Sequence, residues 1–543
     1  MQRIQNIFLH YSLPILLISL LFFVKTLYLA FCVTPFSAVP DEIGHYAYVQ
    51  DIAYGKGIPV LSSPAVGKSL IGADIMGYVE KNTDAKPAYN WIAQHPPIYY
   101  ALAAIPLKIG SWFTSDQELL LRLPRIVSAL SGALLLLVLF QTFKVVGLDT
   151  PRANGLAAAI GFIPMVSHLS SGTTHDIPLF LFCALATYFF ARHIVERQIK
   201  DAYWCATWLA IASGTKMMTP WVLLAPMIFF LIFELSTPNK IKHVLGISLT
   251  AFSIPIIWMV RNLVYFGNPL YTSGTERKPG LDVALNLSFL DFIHSQPAIS
   301  QTINWFYGMF VYLGAGRENV LLQYDLVPRH LNFIWFAVRG FPYRGFLDIL
   351  FFLLNIFLIY ILKLLWKIFK KNPKKTEDTS LIYYINSRLQ EHHYRKPLSI
   401  ISVIVAVYFS IYVGSANFTN LSFLVLFSVV ASIFLGTLSL PLSFLSTDKI
   451  DRVALYGFFI NLFFSIIFLY HIYGAYLIEG QLRATQGRYF YPVIPLLLLS
   501  AAVAFIRLRV PVIVLNIIVT ILACAELSTY ILQVIPFYLK QYS

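Results

Sequence analysis

Long apolar runs recur along the whole chain, and they constrain its fold more than any other feature. Many are roughly 17 to 25 residues long, the length that an α-helix needs to cross the roughly 30 Å hydrocarbon core of a bilayer. The composition agrees, since 58% of the residues are hydrophobic and only 12% are charged. An outer-membrane barrel would show short strands of alternating polarity instead. The sequence therefore predicts an all-α integral membrane protein folded as a polytopic helical bundle.

The basic residues indicate how the helices are oriented. The formal net charge is +14 at pH 7, but most lysines and arginines lie in short loops and at the ends of apolar runs. That distribution follows the positive-inside rule, so membrane topology explains the charge and no nucleic-acid partner is expected. The first apolar run is too long for a signal peptide and has no small-residue cleavage site, so we expect it to be retained as a helix.

Hydropathy and loop charge together predict about 13 transmembrane helices in a single domain, residues 1–543. The most basic stretch lies in a loop at 366–397, which is predicted to be cytoplasmic, whereas two long segments at 34–125 and 265–344 are predicted on the outer side. An apolar piece at 96–113 is expected to lie at the membrane surface as a helix, because counting it as a span would put the basic loops outside. The predicted spans are residues 11–33, 126–143, 155–169, 177–190, 203–213, 221–235, 244–259, 346–365, 398–416, 421–445, 453–476, 490–506 and 510–532.

Two adjacent acids follow the first apolar run. Asp41 and Glu42 come directly after Pro40, at the expected boundary between membrane and water. His45 lies four residues after Asp41, and so on the same face if the segment is helical. A carboxylate at such a place can act as general base on an acceptor hydroxyl, while its neighbour tunes its pKa or holds a partner. The alternative is that the two acids are simply solvated beyond a helix end.

Two further polar clusters are predicted on the same side of the membrane. His95 and Tyr99 belong to the sequence that ends the first outer segment, where a double proline starts the surface helix. His175 and Asp176 lie in a turn between two predicted spans, and the topology brings Asp176 to the face that carries Asp41. Each cluster also has a plainer interpretation, an interfacial tyrosine belt for the first and a polar turn for the second.

Four cations depart from the positive-inside trend. They lie on the predicted outer side beside apolar helix ends, and they are Lys216, Arg261, Arg483 and Arg488. Arginine can bind a phosphate group through two parallel hydrogen bonds, and such a contact is worth more near hydrocarbon than in water. These residues are therefore candidates for binding an anionic group, such as a lipid phosphate that carries a polar substituent. The alternative is that they only reach from a helix end to water.

Several short motifs resemble the GT-C superfamily of integral membrane glycosyltransferases, in particular its protein mannosyltransferase and aminoarabinose transferase-like members. The motifs are Pro40-Asp41-Glu42, His95-Pro96-Pro97-Ile98-Tyr99-Tyr100, Arg122-Leu123-Pro124-Arg125-Ile126-Val127-Ser128-Ala129, Arg261-Asn262 with Gly267-Asn268-Pro269-Leu270, and Gly487-Arg488-Tyr489. Their order resembles that of the superfamily over most of the chain, which implies a GT-C-type fold.

The resemblance also implies a reaction. A sugar would pass from a polyprenyl-phosphate donor to an acceptor in one inverting displacement, on the outer face of the inner membrane. An acid of the first outer segment would be the catalytic base, and by matching position Asp41 is that base and Glu42 its neighbour. The implied partners are the lipid-linked sugar donor, a glycan or lipid acceptor of the cell envelope, and membrane lipids.

The chain departs from the superfamily pattern in two places. Relatives often carry lysine where this chain has His95, and a phosphate contact there would need a protonated imidazole. The chain ends soon after its last predicted span, so we expect no large soluble domain to recognise a peptide, which favours a glycan or lipid acceptor. Some members bind a divalent cation, but no cluster in this sequence has dependable ligand spacing, and no metal ligand is predicted.

Two other functions remain open at the level of sequence. A transporter or flippase for a lipid-linked saccharide would use the same cations and aromatic residues, although it would also call for broken helices at the bilayer midplane and internal pseudo-symmetry. A non-catalytic subunit of a polysaccharide assembly system is the second alternative.

Overall fold

The fold is helical in the part of the chain that the structure describes, which confirms the predicted all-α class. The exceptions are two antiparallel pairs of two-residue strands, β1 (Leu70–Ile71) with β2 (Ala88–Tyr89) and β3 (Met309–Phe310) with β4 (Leu322–Gln323). The computed structural model describes residues 11–61, 70–71, 88–272, 287–296, 298, 302, 306, 309–310, 322–323, 448–480, 482, 485–508 and 511–542.

The helices follow one another with short connections. Several begin at a side chain that caps the exposed backbone N–H groups, as Ser12, Asp149 and Asp448 do. A π-helical turn at Leu29–Val33 extends the first helix, and another at Tyr530–Val534 joins the last two. In chain order the helices are α1 (Leu13–Tyr28), α2 (Glu42–Ala53), α3 (Ile98–Gly110), α4 (Gln117–Arg122), α5 (Arg125–Val145), α6 (Thr150–Gly161), α7 (Pro164–Ser170), α8 (Asp176–Glu196), α9 (Ile199–Ser213), α10 (Met218–Phe233), α11 (Lys240–Phe266), α12 (Phe289–Ser295), α13 (Lys449–Glu479), α14 (Ile494–Leu508), α15 (Val512–Thr529) and α16 (Ile535–Tyr542).

The expected number of about 13 spans is not confirmed. Among the described residues, six helices are long and apolar enough to cross a membrane, or seven if the bent pair α6 and α7 counts as one span. Three predicted spans, at 346–365, 398–416 and 421–445, lie outside the described residues. Three others correspond to α9, α10 and α14, which have only 15, 16 and 15 residues. At 1.5 Å per residue these are shorter than the hydrocarbon core, which is why length excludes them.

Helix α8 is the centre of the bundle. In the most apolar stretch of α8, 78% of the residues are buried, whereas the corresponding fractions are 22% for α11 and 17% for the span that contains α15. It packs on α5, α9 and α13, and its side chains belong to the main hydrophobic core. Because α8 begins at Asp176 and ends at Glu196, it connects polar groups at the two ends of the bundle.

The bent pair α6 and α7 turns the chain toward the N-terminal end of α8. The two helices meet at 67°, where Pro164 starts α7 and cannot continue the hydrogen-bond ladder of α6. A partly buried ion pair holds the bend in place, since Lys25 Nζ lies 2.8 Å from Glu526 Oε1 and donates to the Gly161 carbonyl. Ser167 donates to the same carboxylate. The segment that follows α7 is thereby directed into the polar cluster described below.

One apolar face of α3 is buried against the rest of the protein, and another apolar face of the helix is exposed. Tyr99 and Tyr100 are fully buried, whereas Leu102, Ile105 and Ile109 are 41% to 54% exposed. The buried face packs on α2, and Pro97 precedes the first residue of the helix. The predicted surface helix at 96–113 is therefore a helix of 13 residues with an apolar outer face, as a helix lying in the membrane interface requires.

Candidate active site

The loop after the first helix holds Asp41 in a constrained backbone conformation. The π-helical turn ends at Val33, and the chain then passes through two residues with positive φ, Ser37 at 74° and Asp41 at 62°. The left-handed region is unfavourable for most L-residues and is tolerated best by Asn and Asp. Asp41 occupies the N-cap position of α2 without capping it through its side chain. Its carboxylate is thereby left for other contacts.

Glu42 lies in a closed ion pair with Arg125. Both side chains are 0% exposed, and the guanidinium donates to both carboxylate oxygens at 2.8 and 2.9 Å. The same carboxylate accepts from the backbone N–H groups of Ser37 and Thr173, each at 2.8 Å. Arg125 also donates to three backbone carbonyls of the loop, those of Ala30, Thr34 and Pro35. Glu42 and Arg125 therefore hold the loop in place, and neither carboxylate oxygen is left open.

Asp41 is the open member of the acid pair. Its side chain is 35% exposed, in contrast to the fully buried Glu42. Oδ1 accepts from Trp91 Nε1 at 3.3 Å, and Oδ2 accepts from Arg488 Nη2 at 2.8 Å. A partly exposed carboxylate held from two sides can meet a hydroxyl group from outside the protein.

Arg488 connects Asp41 to a second acid, Asp176. The guanidinium is 4% exposed, and its Nε lies 3.2 Å from Asp176 Oδ2. Lys216 Nζ lies 3.2 Å from the other oxygen of Asp176 and stands over the ring of Tyr489 at 4.6 Å. Burial would lower the pKa of Arg488, but the two carboxylates Asp176 and Asp41 raise it above its ordinary value, so this arginine stays charged.

The charges of the ion cluster balance, but one of its N–H groups has no hydrogen-bond partner among the described residues. Two acids, Asp41 and Asp176, face two cations, Arg488 and Lys216. Arg488 Nη1 is buried and has no hydrogen-bond partner among the described residues. A buried N–H group of this kind is costly to leave unpaired and is well suited to an anion. Gly487 permits this placement, because a Cβ there would collide with the backbone of Thr302 and Phe306.

Three histidines and a tyrosine lie beside the ion cluster. Tyr100 Oη is 3.0 Å from His45 Nδ1 and 3.0 Å from His175 Nδ1, and the ring of His95 lies 4.7 Å from that of His175. Burial lowers the pKa of His175 to about 4, with Lys216 adding to the effect. Burial and the neighbouring His175 also lower the pKa of His45 and His95 well below their ordinary range. All three imidazoles are therefore neutral near pH 7.

The predicted site residues are thus brought together with few exceptions. Seven of them surround one cluster, and Tyr99 lies beside it with its hydroxyl 3.4 Å from Ser128 Oγ. Glu42 is separated from the cluster by its own ion pair. Arg261 donates instead to the Pro59 carbonyl at 2.8 Å and stacks over Trp258 and Tyr265. Arg483 lies outside the described residues. The seven are Asp41, His45, His95, His175, Asp176, Lys216 and Arg488.

Four residues of the site had no catalytic or binding role predicted from sequence: Arg125, Tyr100, Trp91 and Tyr48. Arg125 carries a usable signal, since it is a cation at the start of a predicted span on the outer side, as Lys216 is. Tyr48 stacks on the Tyr100 ring at 3.8 Å. The sequence contains no comparable signal for the hydroxyl of Tyr100. Its two partners, His45 and His175, come from separate parts of the chain.

The residues that the structure describes contain no group of three or more His, Cys, Asp or Glu side chains with the geometry to hold a metal ion. The positive charges of the cluster are provided by Arg488 and Lys216. The histidines are engaged with Tyr100 and with one another.

The sequence model of a known family matches a segment of the chain that contains part of the candidate active site. The family is described as dolichyl-phosphate-mannose-protein mannosyltransferase, and the match covers residues 94–258, less than a third of the chain. It confirms, over these residues, the resemblance to GT-C enzymes that the motifs predicted. The matched segment contains His95, Asp176 and Lys216, whereas Asp41 and Arg488 lie before and after it.

Among solved structures, the chain is similar to ArnT from Cupriavidus metallidurans in the apo state. The two share 14% sequence identity over 90% of this chain and 76% of that chain, with a TM-score of 0.33. A superposition this loose carries no argument about fold or activity. No curated protein sequence matches the chain significantly.

Proposed function

We propose that the protein is a membrane glycosyltransferase that moves a sugar from a polyprenyl-phosphate donor to a glycan or lipid acceptor of the cell envelope. The observation that carries the proposal is the pairing of an accessible carboxylate, Asp41, with a buried arginine, Arg488, that has an unused N–H group. A transferase acting on a phosphate-linked sugar needs both kinds of group at one place, a base for the acceptor and a cation for the leaving phosphate.

Asp41 is the general base in this proposal. As the acceptor oxygen attacks the anomeric carbon, its proton passes to the carboxylate, and the bond between that carbon and the phosphate oxygen breaks. The displacement inverts the configuration at carbon and releases polyprenyl phosphate. The exposed fraction of Asp41 supports the role, since an acceptor can reach it, and Arg488 and Trp91 fix its orientation.

Arg488 and Lys216 bind the donor phosphate and stabilise the charge that grows on it. Both cations contact Asp176, which holds them side by side. Preorganised charge of this kind stabilises a transition state without further rearrangement. Neutral His95 contributes a polar edge rather than a positive charge, because burial lowers its pKa. Arg261 lies on α11, where it donates to the Pro59 carbonyl, and it would act on a more distant part of the donor.

Glu42 has a structural role in this scheme. Its carboxylate is occupied by Arg125 and by two backbone N–H groups, so it positions the loop that presents Asp41 and takes no proton from substrate. The site would lie on the outer face of the inner membrane, because the basic loops predicted inside leave this end of the bundle outside. The segments 34–125 and 265–344 would then form the outer parts of a single transmembrane domain, with the loop 366–397 in the cytoplasm.

The proposal is tested with purified protein in lipid vesicles, labelled polyprenyl-phosphate sugar and envelope lipid. Wild-type protein is expected to transfer label covalently to the acceptor, and Asp41→Asn to lose about 10²- to 10⁴-fold in rate because the amide cannot accept the proton. Asp51→Asn is the matched control, since Asp51 is an acid of the same helix whose salt bridge with Lys56 is long, at 3.7 Å. Movement of label across the membrane without transfer would contradict the proposal and favour a flippase.

A further inference from the structure

We propose that Tyr100 is a positioning residue whose hydroxyl joins His45 and His175 into a hydrogen-bond chain with one direction, from His45 through Tyr100 to His175, whose Nε2 lies in electrostatic contact with Asp176. The chain orients the carboxylate that holds Arg488 and Lys216 together. The inference rests on the proposed function for its kinetic consequence, while the direction of the chain can be measured without any activity.

The geometry of Tyr100 forces the two histidines to differ. One hydroxyl has a single proton, yet it lies 3.0 Å from Nδ1 of His45 and 3.0 Å from Nδ1 of His175. If both nitrogens lacked a proton, the hydroxyl could donate to only one of them, and if both carried one, the buried hydroxyl proton would have no acceptor among the described residues. Both rings are buried and neutral, so each has one protonated and one unprotonated nitrogen. One histidine must therefore donate to Tyr100 and the other must accept from it.

Asp176 decides which histidine does which. Nε2 of His175 lies 3.3 Å from Asp176 Oδ1, a contact within electrostatic range although off the line of an aligned hydrogen bond. A protonated Nε2 is attracted to the carboxylate, whereas a lone pair at that position would face two oxygen lone pairs. His175 is therefore protonated on Nε2 and accepts at Nδ1 from the Tyr100 hydroxyl. The tyrosine oxygen in turn accepts from His45, which is protonated on Nδ1.

The packing around Tyr100 fixes the positions of the groups in the hydrogen-bond chain. The phenol ring is 0% exposed and stacks on Tyr48, with centroids 3.8 Å apart and planes 7° apart. His45 and His175 meet edge to face at 4.6 Å. Side chains packed in this way have little freedom to change rotamer, so the position of the hydroxyl is determined by packing. The consequence reaches Asp41, because Asp176 and Asp41 share the same arginine, Arg488.

The first test is the protonation of the imidazole nitrogens, read from nitrogen NMR of protein labelled with ¹⁵N-histidine and reconstituted in lipid. Signals are assigned by their loss in His45→Gln and His175→Gln. We expect His45 to carry its proton on Nδ1 and His175 on Nε2, and we expect Tyr100→Phe to shift His45 away from the Nδ1 form. The reverse pair of tautomers in the wild type would overturn the proposal, as would unchanged tautomers in a folded Tyr100→Phe protein.

The second test separates positioning from a loss of structure. Tyr100→Phe is expected to lower kcat about tenfold, the order of one lost hydrogen bond, while KM changes less than twofold. Tyr203→Phe is the matched control, because it removes a hydroxyl that lies 3.2 Å from Nδ1 of a histidine outside the site, His243, and keeps the aromatic ring. It should leave kcat unchanged. Equal losses in the two variants would contradict the proposal. If the wild type showed no transfer at all, the proposed function would fail. The tautomer measurement would still show whether the hydrogen-bond chain runs in the proposed direction.

Discussion

The two ends of α8 carry buried ion clusters of different kinds. At the C-terminal end of α8, Glu234 accepts from Arg197 at 2.6 Å, from Arg452 at 3.0 Å and from the Tyr456 hydroxyl at 2.5 Å. These partners converge on a carboxylate that is 2% exposed. At the end where α8 begins, Asp176 binds two cations as well. There, however, one of those cations also holds the exposed carboxylate of Asp41.

The difference separates a structural cluster from a candidate reactive one. Around Glu234, hydrogen bonds and ion pairs join the ends of α8, α10 and α13, and the acid has no oxygen left open. Around Asp176, Arg488 has an unused N–H group and Asp41 is 35% exposed. Arg452 Nε is also buried without a hydrogen-bond partner among the described residues, so the distinction rests on the two acids: a substrate can reach the partly exposed carboxylate of Asp41, whereas the carboxylate of Glu234 is enclosed. The comparison predicts that substitutions at the first cluster change stability, and that those at the second change activity.

Breaking the Glu42–Arg125 pair should have the largest effect on stability. Glu42→Gln leaves the fully buried guanidinium of Arg125 without its counter-charge, and such a change typically costs about 3–5 kcal/mol in the free energy of unfolding. Chemical unfolding in detergent measures it. The control Asp51→Asn, which affects a partly exposed pair, should change the same quantity by less than about 1 kcal/mol. A Glu42→Gln protein as stable as the control would show that the pair does not hold the loop.

Protonation of the histidine cluster should have the next largest effect. The pKa of His175 is lowered from 6.5 to about 4, so the unfolded chain binds more protons than the folded one between these values. Stability is then fully present above about pH 6.5 and is lost as the pH falls toward 4, by up to about 3 kcal/mol for this group. Unfolding measured across this window should show the loss, and His45 and His95 act in the same direction.

His175→Gln should reduce that pH dependence, because the amide does not titrate. His471→Gln serves as the control, since His471 is exposed on α13. It should leave the pH dependence unchanged. A stability that rises as the pH falls from 6.5 to 4, in the wild type, would contradict the assignment of neutral histidines.

Glu234→Gln should have a smaller effect that falls on stability alone. The two arginines that lose their partner are 30% and 26% exposed, so water can solvate them in part. We expect a loss of about 1–3 kcal/mol in the free energy of unfolding, with the transfer rate per folded molecule unchanged. Unfolding and transfer measured on the same preparation check both parts. A lower transfer rate at full stability would remove the distinction between the two clusters.

That several polar groups share one end of the bundle could be predicted from sequence, but the position of each group around the bundle could not. Loop charge placed Asp41, Asp176 and Arg488 on one face, and the structure joins them although Arg488 is 447 residues from Asp41. The same reasoning placed Arg261 on that face, where it binds Pro59 instead. Sidedness follows from a count of spans, whereas angular position depends on how helices pack, which short motifs do not encode.

Which side chains pair with one another also could not be predicted from the sequence. Glu42 and Arg125 both lie in quoted motifs, yet no spacing rule pairs residues 83 positions apart. The sequence predicted Asp41 as the base and Glu42 as its neighbour in the catalytic site, without indicating that the two carboxylates differ in exposure. The positive φ of Asp41 turns the chain between them, so that one carboxylate is exposed and the other is buried. The fold class was easier to predict, because apolar runs of membrane length report it directly.

Donor binding and transfer measured together on Asp41→Asn and Arg488→Gln test the central claim most directly. With labelled polyprenyl-phosphate sugar in lipid vesicles, the account predicts that Asp41→Asn binds donor as the wild type does and transfers at least about 10²-fold more slowly. Arg488→Gln should instead bind donor at least about tenfold more weakly, since it removes the buried cation. Full transfer by Asp41→Asn, or unchanged donor binding by Arg488→Gln, would contradict the assignment of base and phosphate ligand.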